Sequence, residues 1–342
     1  MQYEPFSLDL TTPLSTSRGE IERREGFLIR VERDDVVGLG EATPLPGWTE
    51  SIEECEAALT DWSEARQVEP AEMGETPAAR HGIELAQVDA DARAAGEPLA
   101  TFLADGSPAD SVPVNATVGD GSVESTAGAT REAVESGYRA VKVKVGARDS
   151  DVDAARLRAA REAAGDGVEL RADANGVWDV PTAERLLDVA ADLDFAYVEQ
   201  PLAADDLRGH AELRGRGVGI ALDESVVSVG PDRVLTADAA DILVCKPMAL
   251  GGPRRTLDVA RRAAARGVDV VVTTTIDAVV ARVGAVHVAA ALPGISACGL
   301  ATGSVLSADL APDPAPVEEG SIRVPTGPGL AGDAFAALRT KR

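Results

Sequence analysis

Three apolar runs in this chain each end on a carboxylate. Asp173 closes Leu170-Arg171-Ala172, Glu199 closes Ala196-Tyr197-Val198, and Asp223 closes Ile220-Ala221-Leu222. Three oxygen ligands of this kind, completed by water and substrate, suit a hard divalent cation. Mg2+ fits best, and Mn2+ accepts the same donors. Lysines interrupt two further apolar runs, Lys142 and Lys144 in Ala140–Val145 and Lys246 after Ile242–Cys245. An ammonium is costly to bury, yet the whole sequence holds only four lysines, the fourth being Lys341, among 33 basic residues. Lysine is therefore kept where arginine cannot serve, and arginine cannot give up its proton near neutral pH. Beside a cation and other lysines the ammonium form is disfavoured, which moves lysine toward a general base. A cation on a carboxylate oxygen acidifies the neighbouring C–H and holds the resulting enediolate. The set thus points to proton abstraction next to a carboxylate. Asn175, two residues past Asp173, faces the same way and could support a ligand or the substrate. Glu224, next to Asp223, points the other way on strand alternation and reads as outer support.

These residues need a scaffold that brings strand ends together. From Val112 onward, apolar β-branched runs alternate with helical patterns about every 25 residues. The strands predicted are Val112–Thr117, Ala140–Val145, Val168–Ala174, Phe195–Gln200, Gly219–Asp223, Asp241–Lys246, Asp269–Thr274 and Ser296–Ala301. Helices such as Asp151–Ala164, Thr182–Leu193 and Arg254–Arg266 fall between them. Eight strands alternating with seven helices is the pattern of a parallel barrel, a modified TIM barrel of (β/α)7β type in the α/β class. Period-two alternation turns Lys142 and Lys144 into that barrel and the valines between them outward. Active sites in such barrels lie at the C-terminal strand ends. Lys144 and Lys246, on strands four apart, approach the centre from opposite sides. Cys245 points outward as a small buried hydrophobe, and His81, His210 and His287 fall in helices, away from the strand ends.

The first hundred residues lack βα alternation. Ser7–Leu10, Phe27–Arg33 and Val37–Glu41 read as an antiparallel meander, followed by helices over Ser51–Arg66 and Pro77–Ala95. The division expected is an α+β unit over 1–105, a barrel over 112–305, and a Pro- and Gly-rich tail over 306–342. That tail carries a short strand at Ile322–Val324 and returns to the first unit.

Composition excludes some partners. With 57 acidic and 33 basic residues the net charge is −24, which repels nucleic acid and anionic lipid. Such a surface resembles the acidic proteins of salt-in halophiles. No run approaches the roughly 20 apolar residues of a membrane span, and Met1–Leu10 lacks the regions of a signal peptide. Three scattered cysteines give neither a disulfide framework nor zinc spacing, so a reducing cytoplasm is expected. No Walker or dinucleotide glycine motif is present. The partner expected is a small-molecule carboxylate; the oligomeric state, homo-oligomer included, stays open.

In this order and spacing, Lys142-x-Lys144, Asp173, Glu199, Asp223 and Lys246 resemble the muconate-lactonizing subgroup of the enolase superfamily. Within it, the o-succinylbenzoate synthase family of menaquinone biosynthesis is most similar, through Gly40–Trp48, Val141–Gly146 and Lys246–Gly252. The resemblance covers nearly the whole chain and implies that the α+β unit caps the barrel. It implies that Lys144 removes the α-proton and then assists loss of hydroxide, in syn dehydration of 2-succinyl-6-hydroxy-2,4-cyclohexadiene-1-carboxylate. Lys246 would stabilise the enediolate and Lys142 would help Lys144 give up its proton. Loops around Ser17–Arg18 and Pro44–Trp48, with strand ends Thr273–Asp277 and Gly299–Gly303, would enclose the substrate. Arg18, Trp48, Thr273, Thr274, Leu300 and Ala301 are the candidate contacts. Relatives often carry Ser-Ser-x-x-Glu where this chain has Thr273-Thr274-Thr275-Ile276-Asp277. The same catalytic set also permits N-acylamino acid racemisation, dipeptide epimerisation and muconate cycloisomerisation. A Schiff-base aldolase would leave the carboxylates and the second lysine without a role. A non-catalytic barrel gives no reason to retain interior lysines.

Overall fold

The computed structural model describes residues 1–16, 19–65 and 75–340. Three antiparallel strands begin the chain, β1 (Gln2–Thr16), β2 (Gly19–Arg33) and β3 (Val36–Ala42), in the order β1-β2-β3. The first two run well beyond their apolar cores, because β1 and β2 pair almost end to end around a register shift between Asp9 and Leu14. Helices α1 (Ile52–Ala65), α2 (Pro77–Ala95) and α3 (Leu99–Leu103) follow. A reciprocal cap starts α1: Ser51 N–H donates to Glu54 and Glu54 N–H to the Ser51 hydroxyl. Helix α2 lies against β3 so closely that a Cβ on Gly40 would stand 1.8 Å from the Gly82 carbonyl oxygen. Only glycine allows that approach.

The chain then enters the barrel through β4 (Ser111–Pro113) and β5 (Asn115–Val118), α4 (Val123–Glu135), β6 (Ala140–Lys144), α5 (Ser150–Ala164), β7 (Glu169–Asp173) and α6 (Val180–Asp192). It continues through β8 (Phe195–Glu199), α7 (Leu207–Leu213), β9 (Gly219–Leu222), α8 (Glu224–Ser228), α9 (Pro231–Thr236) and β10 (Ile242–Cys245). The last turns are α10 (Pro247–Leu250), α11 (Pro253–Ala264), β11 (Asp269–Val272) and α12 (Val279–Ala290). Strands β5 to β11 form one curled parallel sheet in sequence order. Its two faces divide by alternation. Val141, Val143, Leu170, Ala172, Val198 and Ile220 share one apolar core with the outer helices. The inner face carries Thr117, Lys142, Arg171 and Tyr197 in one register and Lys144, Asp173 and Glu199 above them.

Two strand expectations change. Val112–Thr117 is not one strand. Its first half, β4, pairs with β13 (Ser321–Arg323) of the tail, which follows β12 (Val317–Glu318), and only β5 joins the barrel. Ser296–Ala301 is reduced to two bridges, Cys298 to Val114 and Gly299 to Thr273. The gap between β5 and β11 is bridged at these two residues. Backbone bonds from Cys298 N–H to Pro113 and from Gly299 N–H to Val272 close it.

The N-terminal layer is fixed to the barrel by buried polar contacts. Glu41 of β3 is fully buried and accepts N–H bonds from Ala278 and Ala281, both 2.8 Å, at the start of α12. A helix N-terminus is a natural seat for a carboxylate. Arg24 of β2 donates to the carbonyl oxygens of Ile276, Pro44 and Thr43. In α2, Arg80 donates to Leu250 and Gly251. The tail comes back here too, with Arg30 donating to the Leu338 carbonyl and buried Asp89 accepting from Leu39 and Leu330. His287 is spent in this seam, between the Leu330 carbonyl and the Ala100 N–H.

Burial, with the nearby charges of Asp277 and Asp309, pushes Glu41 up to about 8 from an ordinary 4.5. The folded state therefore holds a proton there that the unfolded chain releases, so this contribution is full below pH 4.5 and is lost as pH rises through 8. Buried His81 and His287, lowered to about 4, act in the opposite sense but only below about pH 6.5. Between pH 6.5 and 8 the stability from denaturant melts should fall with pH, and Glu41→Gln should flatten that fall. One such proton accounts for at most about 1.4 kcal/mol per pH unit.

Candidate active site

Each carboxylate, like Lys144 and Lys246, stands at or just past the end of its strand, and Lys142 lies two residues earlier on β6. Lys144, Asp173 and Glu199 are the last residues of β6, β7 and β8 and are paired in register. Asp223 and Lys246 follow β9 and β10 directly. The sheet order β10-β9-β8-β7-β6 sets Lys246 and Lys144 four strands apart with the carboxylates between.

The side chains meet as ion pairs. Lys144 Nζ lies 2.7 Å from Asp173 Oδ2 and 2.9 Å from Asn175 Oδ1. Lys142 Nζ contacts both Glu199 oxygens at 2.9 and 3.1 Å and Asp173 at 3.3 Å. Lys246 Nζ contacts both Asp223 oxygens at 2.5 and 2.6 Å, and its other side faces the Trp48 ring, 3.3 Å from the centroid. Trp48 comes from the tight turn over Leu45–Thr49 in the N-terminal layer, so two parts of the chain share one ammonium. Such a contact is worth more when desolvated.

Exposure separates the lysines. The side chain of Lys144 is 34% exposed, that of Lys142 14% and that of Lys246 8%. Lys144 is the one a substrate can reach. For Lys142, burial works against the ammonium, but Glu199 and Asp173 outweigh it and hold the group well above its ordinary value. Burial alone would raise Asp173 too; Lys144 and Lys142 hold it well below the usual carboxylate range. Glu199 goes the other way. Burial and the charges of Asp173 and Asp223 push it up to about 7 despite Lys142. Asp223 is also raised, by burial first, against the pull of Lys246.

The donor set fits a hard divalent cation on two counts. Three buried carboxylates repel one another enough to raise Glu199, and a cation among them relieves that repulsion. Glu224 adds a buried Oε2 with no hydrogen-bond partner. As the side chains are placed, no three Asp, Glu, His or Cys groups among the described residues stand close enough to hold an ion; each carboxylate leans onto a lysine instead.

Several residues sit otherwise than expected. Glu224 turns toward the site: its Oε1 accepts from Asn175 at 3.0 Å, and Asp173 raises its carboxyl further after burial. The reason is that β9 ends at Leu222 and α8 begins at Glu224, so the period of two no longer applies. Thr273 donates to the Gly299 carbonyl, and Thr274 bonds Thr302 and the Ile276 N–H, so both hydroxyls hold the loop together. Asp277 is withdrawn, 2% exposed, accepting from Thr275 beside Arg24. Leu300 does not line the opening, because its side chain is fully buried in the core shared with α12. Ala301 is half-buried beside that core. Arg18, with Ser17, lies outside the described residues. Arg156 and Gln200 went unnoticed in the sequence. Arg156 is fully buried on α5 and donates to the Lys144 carbonyl at 2.7 Å, paired with Asp153. An arginine and an aspartate three apart on an otherwise apolar helix face was the available signal.

Comparison with known proteins gives this geometry relatives. Residues 125–333 match the family described as enolase C-terminal domain-like, and residues 3–90 match the one described as MenC, N-terminal domain. An o-succinylbenzoate synthase of Thermobifida fusca (strain YX) is 43% identical over 211 residues. That match spans 60% of this chain and 64% of the relative's length. An L-Lys-D/L-Arg epimerase of Methylococcus capsulatus is 30% identical over 94% of both chains. The crystal structure of a dipeptide epimerase from Methylococcus capsulatus, complexed with Mg and the dipeptide L-Arg-D-Lys, superposes with a TM-score of 0.87. It is 29% identical, covering 96% of this chain and 98% of that one. No helix among the described residues is long and apolar enough to cross a membrane.

Removing Lys142 leaves buried carboxylates with too little positive charge. Lys142→Met should cost about 3 kcal/mol in urea melts without divalent ions. Adding Mg2+ should recover part of that loss, more than it adds to the unsubstituted protein, since the cation supplies the missing charge.

Proposed function

Because the chain belongs to the enolase superfamily, we propose that it is a metal-dependent dehydratase forming 2-succinylbenzoate from 2-succinyl-6-hydroxy-2,4-cyclohexadiene-1-carboxylate. The observation that carries this reading is the placing of a reachable Lys144 and a shielded Lys246 on either side of the carboxylates. Its direction toward this substrate comes from the 43% identity to an o-succinylbenzoate synthase.

The residues divide the work by their surroundings. Lys144 Nζ, in its neutral form, takes the proton from the carbon bearing the carboxylate, and the C–H electron pair moves into the enediolate. Lys246, pinned by Asp223 and Trp48, faces that developing negative charge. Lys144 then returns its proton to the departing hydroxyl on the same face. The C–O bond breaks, the ring becomes aromatic and water leaves. Lys142 stays between Glu199 and Asp173 and fixes their spacing. Asp173, Glu199 and Asp223 would hold Mg2+, with Mn2+ as the alternative; when bound it acidifies the α-proton and stabilises the enediolate as a Lewis acid. The acidic surface and three free buried cysteines support a cytoplasmic setting of high salt.

A second reading has its own support. The relatives that match along the full chain include epimerases, and a lysine on each side of the site permits proton removal on one face and return on the other. An ultraviolet assay with the cyclohexadiene carboxylate, in high KCl with Mg2+, should show the aromatic product appearing. No turnover there, with racemisation of an N-acylamino acid or epimerisation of a dipeptide instead, would overturn the dehydratase reading. Lys144→Ala should lower turnover by at least about a thousandfold, the scale of one group serving as general base and then as general acid, with circular dichroism unchanged; EDTA should abolish activity and Mg2+ restore it.

A further inference from the structure

Gln200, directly after Glu199, takes no part in the chemistry above, yet it is tied to all three carboxylate-bearing strands. It is fully buried and holds a φ of +41°, a left-handed conformation uncommon for any residue but glycine. That turn swings the side chain under the end of β9 instead of along the strand. There Oε1 accepts N–H bonds from Asp223 and Ser225, both at 3.1 Å. Nε2 donates to the Ser225 hydroxyl at 2.8 Å and the Leu202 carbonyl at 3.0 Å. Its backbone extends the link: Gln200 N–H donates to Ala221 at 2.8 Å, and its carbonyl accepts from Gly176, in the loop after Asp173, at 2.7 Å. His210 braces the joint from behind, taking the Leu202 N–H on Nε2 while Nδ1 faces the Asp206 carbonyl.

We infer that Gln200 is a positioning residue that sets the spacing of Asp173, Glu199 and Asp223 for a divalent cation. The inference rests on the metal-site reading of the preceding subsection. Its physical basis is that groups bonded to a site's ligands fix ligand orientation, and their loss commonly weakens metal affinity about 10–100-fold. A strained backbone persists only where the surroundings over-determine it, and here six hydrogen bonds made by one residue do so.

The test is a Mn2+ titration of the full chain, followed by the electron paramagnetic resonance signal of free Mn2+. The unsubstituted protein should bind Mn2+, and Asp223→Asn should lose it. Gln200→Met, matched in length but unable to accept either N–H, should weaken Kd at least about tenfold. Gln200→Glu, which keeps one acceptor and loses both donors, should fall between. Leu186→Ala, a core change on α6 remote from these bonds, should lower Tm and leave Kd as it was. A folded Gln200→Met with the original Kd, while Asp223→Asn loses the ion, would overturn the role of Gln200 and leave the metal site standing. Should Gln200→Met not fold, an unchanged Kd in Gln200→Glu would overturn it equally. Weakening of the same size in Leu186→Ala would reduce the effect to general destabilisation. No Mn2+ uptake by the unsubstituted protein would remove the metal reading and this inference with it.

Discussion

A carboxylate taken out of water needs a partner, and the inner wall of this barrel meets that need with lysine. Lys144 sits on Asp173, Lys142 on Glu199 and Lys246 on Asp223. The pairing is not symmetric. Lys142 is shared by two acids and Glu199 is left under-compensated, pushed up by its acidic neighbours as well as by burial. A site tuned that way holds back some of its attraction for a cation and a carboxylate ligand. It also keeps one ammonium, that of Lys144, at the open side. Arginine in these positions would satisfy the charges but could not exchange a proton.

The N-terminal layer matters because it reaches this wall in two ways. Trp48 covers Lys246 from above. Below and to the side, Glu41 caps α12 while Arg24 grips the backbone at Ile276. Ile276 holds a φ of +61°, which a β-branched residue adopts only under constraint. The loop from Thr273 to Asp277 is thereby fixed from the N-terminal side, with its threonine hydroxyls and Asp277 already engaged.

Much of this was legible in the sequence, for a physical reason. Period-two alternation separates valine from lysine in Ala140–Lys144 without any knowledge of the fold, and scarcity of lysine made each one informative. The strand ends were readable because an acid after an apolar run breaks the run's chemistry. What stayed hidden lies where periodicity stops. Glu224 changes face because a helix begins at that residue. The closing segment Ser296–Ala301 reads as a full strand but pairs only at Cys298 and Gly299, because pairing depends on partners distant in sequence. Gln200, Arg156 and Glu41 are polar residues whose value comes from partners 12 to 240 positions away, and no local pattern signals such partners. The tail's return to β4 is equally non-local.

Removal of a proton by Lys144 from the carbon beside a carboxylate can be followed in single-turnover kinetics on the cyclohexadiene carboxylate with deuterium at that carbon, enzyme in excess. Formation of the aromatic product should show a normal primary isotope effect, with the label found in solvent. Equal rates for the two substrates, or product that retains the deuterium, would contradict it.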